Sequence, residues 1–224
     1  MAIEIAMRLS GFLFLFILVL NFVMVKLGKK MEVGDYDSDA KLKEISDDPK
    51  KFQISVVLAL IEHISIIALA FMLFVAFNSY SLILGIIWTI FRTGEGLIHI
   101  DNEIKYWGLL NVARQYADAS GAEINSLRDS GSVILQTYDS RFAYAMILWS
   151  IGTLAYSILF VTYGVIPTVI GWLGIATAIS WAIGEGIKFI KPGFNILIAI
   201  GGLSAMLFEF IIGGWLLFFS HIIP

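Results

Sequence analysis

Residues 53–77 read QISVVLALIEHISIIALAFMLFVAF, and the fold class turns on that stretch. A helix rises about 1.5 Å per residue, so a run of this length crosses the ~30 Å hydrocarbon core of a bilayer with room to tilt. A single formal charge, Glu62, stands within it, beside His63. A charge near the middle of a bilayer costs ~2.5–3.5 kcal/mol on insertion scales. The stretch therefore reads as a membrane span that carries one expensive residue.

Working outward, five further stretches have the same length and character: 9–28, 81–100, 140–162, 165–187 and 194–220. Hydrophobic residues make up 58% of the 224, and the mean hydropathy is +0.85. A soluble domain is nearer 45–50% apolar, and the excess calls for lipid as solvent. The expectation is an all-α fold: a polytopic membrane bundle of six transmembrane helices, one six-span membrane domain over 1–224, multi-pass in the cell membrane. The run Ser10 to Leu27 is too long for a signal h-region and reads as a retained first span. The net charge of −3 gives no case for nucleic acid. With no cysteine, disulfides, thiolate catalysis and thiolate metal sites are excluded.

The connections are short except for two, which lie on one side, the loop face. Asn78-Ser79 joins spans two and three, Tyr163-Gly164 leads to Pro167 and span five, and Lys191-Pro192-Gly193 separates spans five and six. Loop 29–52 ends at Asp48-Pro49, which fits an N-cap followed by proline at N1. In loop 101–138, residues 104–117 (IKYWGLLNVARQYA) are amphipathic, with Tyr106 and Trp107. This is the pattern of an interfacial helical segment between spans three and four, or of a helical hairpin facing solvent. Ser120-Gly-Ala-Glu123 fits a capping box that starts a helix running on into span four.

Charges inside the spans mark the candidate site. Arg92 and Glu95 lie in GIIWTIFRTGEGLI, Glu209 in GLSAMLFEFIIGGWLL, and Asp139 at the start of span four. By helical rise, Glu95 and His99 lie within ~8 Å of the loop face, Arg92 about 12 Å, Glu62 about 14 Å and Glu209 about 22 Å from it. The series describes a cavity open to the loop face and closed at the other end. Arg92, Glu95 and His99, spaced i, i+3, i+7, share one helix face. His63 points ~100° away from Glu62 and need not join them. Four carboxylates, Glu62, Glu95, Asp139 and Glu209, face one assured cation, Arg92, with Arg141 able to turn in as a second. Such a pocket holds protons or binds a cation. Protonatable carboxylates suit proton-coupled transport, whereas Glu95 with His99 suits a divalent metal. The alternative is that these groups are interhelical glue, with Asp139 capping span four. His63, His99 and His221 taken singly are ordinary hydrogen-bonded or interfacial residues. No nucleotide loop, HExxH, GxSxG or kinase motif is present, and no inverted repeat is evident.

These residues also form a pattern. RLSGFLFLFILV, ALIEHISIIALAFMLF with Glu62, FRTGEG with Arg92 and Glu95, TYDSRFAYAMILWSIG with Asp139, VIPTVIGWLGI, and FEFIIGGWLLF with Glu209 follow one another along the chain. Together they resemble domain of unknown function 4386, a six-span membrane family of bacteria and archaea. The resemblance implies the architecture and the polar positions, not a reaction. It departs at Thr168, where the family has Arg, and in a less basic opening. That Arg would place both termini in the cytoplasm. Here the Lys and Arg near span ends gather on the loop face, with Arg8 alone opposite, and the positive-inside rule places the loops there instead.

The functional expectation is a membrane protein with a buried polar cavity, serving proton-coupled transport or small-ligand binding. Its rivals are an intramembrane metal-assisted hydrolase of a lipid-like substrate, with Glu95, His99, Asp139 and Glu62 as ligands or bases, and an accessory or scaffold subunit. Expected partners are membrane lipid, with a homo-oligomer or a partner membrane protein compatible with the pattern.

Overall fold

The computed structural model describes residues 2–29, 37–191 and 196–220, without the side chain of residue 189. His221, Lys30 and the Pro192-Gly193 turn fall outside the described residues. Among the described residues every regular element is a helix. They are α1 (Ala2–Lys26), α2 (Ser38–Asp47), α3 (Pro49–Phe77), α4 (Leu82–Tyr106), α5 (Leu109–Asp118), α6 (Ala122–Tyr163), α7 (Thr168–Ile190) and α8 (Ile196–Phe219). Six helical stretches, those of α1, α3, α4 running on into α5, α6, α7 and α8, are long and apolar enough to cross a membrane. The protein is an integral, multi-pass membrane protein.

Local sequence explains where the helices start and stop. Asp48 caps α3 by accepting from the Lys51 N–H, with Pro49 in the first turn. Ser81 caps α4 through the Leu84 N–H. Gly164 ends α6 in the left-handed region at φ 61°, where a Cβ is unfavourable. The anticipated capping box at Ser120 does not form: α6 starts after Gly121 with no side-chain cap. The helix nonetheless runs unbroken for 42 residues from the loop-face surface through span four. Asp139 is thus a mid-helix residue, which corrects its reading as a cap.

The spanning helices pack in a closed circuit, α1 on α3, α3 on α4, α4 on α6, α6 on α7, α7 on α8, and α8 back on α1. Glycines set the closest approaches. A Cβ on Gly96 would stand 2.6 Å from Ile67, and one on Gly213 would stand 2.9 Å from Phe14. Away from the loop face the circuit is filled by Phe14, Leu73, Phe77, Trp88, Tyr156, Phe160 and Phe208. On the loop face α2 and α5 form a cap whose core contains Leu42, Ile45, Leu109, Leu110 and Ala113, packed on Phe52, Tyr106 and Leu135. The amphipathic segment therefore divides: its first residues finish α4, and the apolar face of α5 is buried against α2 and α6.

Candidate functional site

Between the far-end core and the loop-face cap lies a cavity of about 400 Å³. Glu62, Arg92, Glu95, Asp139 and Glu209, from α3, α4, α6 and α8, all line it. His63 and His99 line it too. His63 was expected to face elsewhere, but its ring stacks on His99 at 4.6 Å between centroids. Much of the remaining wall is apolar or aromatic, including Phe142, Trp149 and Trp181.

The charges are arranged as three pairs and two unpaired carboxylates. Arg92 lies 2.7 Å from Glu95, both at least 97% buried. Its guanidinium carbon lies 5.9 Å over the Trp149 ring, within cation–π range. Gly152 of α6 gives the Arg92 stem its room, since a Cβ there would stand 2.7 Å from Cγ. At the loop-face end Lys29 pairs with Glu103 at 2.5 Å, and the Tyr138 hydroxyl donates to Glu103 at 2.8 Å. Lys188 of α7 donates to both Asp139 oxygens at 3.0 Å. Glu62 accepts from the Asn21 amide at 2.9 Å. Among the described residues, no Lys or Arg lies within ion-pair distance of Glu62 or Glu209.

His63 is the least satisfied group in the site. It is 6% exposed, and neither ring nitrogen has a hydrogen-bond partner among the described residues. Nε2 stands 3.7 Å from Glu103 and Nδ1 4.0 Å from Glu62, beyond hydrogen-bond reach.

Several expectations change. Arg141 does not turn inward; it pairs with Asp101 at the loop-face surface. The second cation of the cavity is Lys29. The expected opening toward the loop face meets the Lys29–Glu103–Tyr138 cluster, with Lys29 over the Tyr106 and Tyr138 rings. Among the described residues no group of three or more His, Asp or Glu is placed to hold a metal ion, so Glu95 and His99 find no third donor. Asn21, Lys29, Glu103 and the buried Glu185, which accepts from Trp181 at 3.3 Å, were not singled out from sequence. Their signal was only a polar residue near a span end, where charge is common.

A family model described as Domain of unknown function (DUF4386) matches residues 9–219. No curated protein and no solved structure matches the chain.

Proposed function

The chain belongs to the DUF4386 family, and from that premise we propose that it is a transporter-like or ligand-binding membrane protein in which Glu62 and Glu209 exchange protons or meet a cationic ligand. One observation carries this reading: two carboxylates without a cation partner line the same 400 Å³ cavity as two closed ion pairs, Arg92–Glu95 and Lys29–Glu103. An unpaired buried charge is strongly destabilising. Glue between helices satisfies its own hydrogen bonds and closes up the space around them. Here the space remains, and two of its carboxylates have no Lys or Arg partner. Arg92 holds Glu95 and is held by Trp149, so it sets the field of the cavity rather than neutralising Glu209. Lys29 and Glu103 stand where a proton leaves the cavity toward the loop face.

The test is proton flux in proteoliposomes carrying a trapped pH dye. Glu62→Gln and Glu209→Gln are expected to abolish most proton flux while the folded protein melts at or above the wild-type temperature. Unchanged flux in both folded variants overturns the reading.

A further inference from the structure

Resting on the reading of the cavity as a ligand site, we infer that its ligands are hydrophobic organic cations, an apolar body with one positive group, and that they enter sideways from the lipid between α1 and α8.

The route follows from what closes the other directions. The far end is filled by the aromatic core around Phe14, Tyr156 and Phe208. The loop-face end is crossed by Lys29, Glu103 and Tyr138 under the α2–α5 cap. The seam between α1 and α8 is tight only at its far half. There a Cβ on Gly11 would stand 2.4 Å from the Leu217 backbone, and one on Gly213 would meet Phe14 and Leu15. Toward the loop face the two helices turn to different neighbours. Asn21 of α1 bonds Glu62 of α3. Ile198 and Ala205 of α8 pack with Trp149 and Trp181 of α6 and α7. What borders the cavity between them is Phe22 and Val25 of α1 and Gly202 and Met206 of α8. Phe22 is 54% exposed, Val25 53% and Met206 39%, so the apolar side chains that border the cavity at this seam also reach the outer surface of the bundle, where lipid lies.

The occupant follows from charge and surface. Five carboxylates line the cavity, Glu62, Glu95, Glu103, Asp139 and Glu209. The cations Arg92, Lys29 and Lys188 are committed to Glu95, Glu103 and Asp139, which leaves Glu62 and Glu209. An anion would find carboxylates with no cation to spare, whereas a cation finds in Glu62 and Glu209 two partners that no Lys or Arg has taken. His63, more than nine-tenths buried with both nitrogens unpartnered, adds an acceptor or donor on the same wall. Trp149 and Trp181, with ring centroids 5.4 Å apart, offer aromatic faces of the kind that attract organic cations. The volume is that of a site for one drug-sized molecule.

The experiment uses the full chain in nanodiscs of phosphatidylglycerol, with tetraphenylphosphonium as probe and tetraphenylborate as its counterpart of equal shape and opposite charge. Binding is read by tryptophan fluorescence against empty nanodiscs. The phosphonium is expected to bind stoichiometrically and the borate ~100-fold more weakly, with Glu62→Gln and Glu209→Gln each weakening the phosphonium about tenfold or more. Because the chain has no cysteine, Met206→Cys supplies a single thiol at the seam. A lipid-soluble maleimide is expected to label it and the phosphonium to slow that labelling. Equal binding of the two ions, or binding unchanged in both glutamine variants, overturns the cation assignment. Labelling that the phosphonium leaves untouched overturns the seam as entrance. If the glutamine variants fail to fold, the comparison of the two ions on the wild-type chain still decides. Glu209-dependent proton flux without phosphonium binding overturns this inference and leaves the proposed function standing; loss of both in folded protein removes both.

Discussion

Arg92 and Glu95 show what a single pair can demand of its surroundings. Breaking a buried pair from one side leaves a charge without solvent or partner, at a cost of about 3–5 kcal/mol. Replacing both by apolar residues of similar volume removes the charge altogether and is often neutral or stabilising. Arg92→Leu is therefore expected to lower the thermal midpoint in detergent sharply, and Arg92→Leu with Glu95→Leu to recover most of the loss. A double variant no more stable than the single would show that the pair is not the unit of energy. Gly152→Ala is expected to reduce stability as well, since its methyl group would displace the Arg92 stem. At this scale the sequence was most legible where a charge interrupted an apolar run: Glu62, Arg92, Glu95 and Glu209 announced themselves by cost. Lys29 and Glu103 did not. They lie at span ends, where a charge ordinarily meets water, and only the folded cap above them turns that address into an interior one. The i, i+3 spacing exposed Arg92 with Glu95, but the partner of Asp139 came from Lys188, 49 positions away, which no local pattern reveals.

The loop-face cap is the least hydrophobic element pair and the one with a surface ionic clamp. Asp39 of α2 accepts from Arg128 of α6 at 2.7 Å and from the Tyr116 hydroxyl of α5 at 3.0 Å. The Arg128 hydrogen bond holds the Asp39 carboxyl below its ordinary range. A lowered folded-state value means that this contribution is complete above the unfolded value, near 4, and fades as pH falls through the folded one. Protection of the α2 amides against hydrogen exchange, relative to the intrinsic rate at each pH, is thus expected to fall on acidification below about pH 4, and Asp39→Asn to remove that pH step. An identical acid profile in the variant would assign the step elsewhere. Beneath the clamp Leu42 is fully buried, and Leu42→Ala is expected to cost ~2–5 kcal/mol, read as cap exchange. The helix that becomes α6 was legible from its polar start, and the α3 cap from Asp48-Pro49. It did not show that α5 would spend its apolar face inside the chain, because an amphipathic stripe fits lipid headgroups and a neighbouring helix equally well.

The six spanning helices follow one another around their circuit, although the connections from α1 to α3 and from α4 to α6 are long enough to hold α2 and α5. That order was not legible, since hydropathy gives number and length but not which faces meet. Sidedness belongs to the whole molecule too. The loop face carries most of the Lys and Arg near span ends, so it is expected to face the cytoplasm. Ser130→Cys, on the exposed surface of α6, should resist an impermeant maleimide in intact cells and react once the membrane is opened. Reaction in intact cells would reverse the orientation to the one implied by the family's basic turn.

At about 1.5 Å per residue, the 42-residue α6 is about 63 Å long, some twice the thickness of the hydrocarbon. A rod of that length is about twice what a crossing needs, and its apolar run begins only near residue 140. Tyr138 and Asp139 sit at its fulcrum, one gripping Glu103 and the other Lys188. The one rod that the α2–α5 cap packs against on the loop face therefore also carries, without a break, the two side chains that close the loop-face end of the cavity.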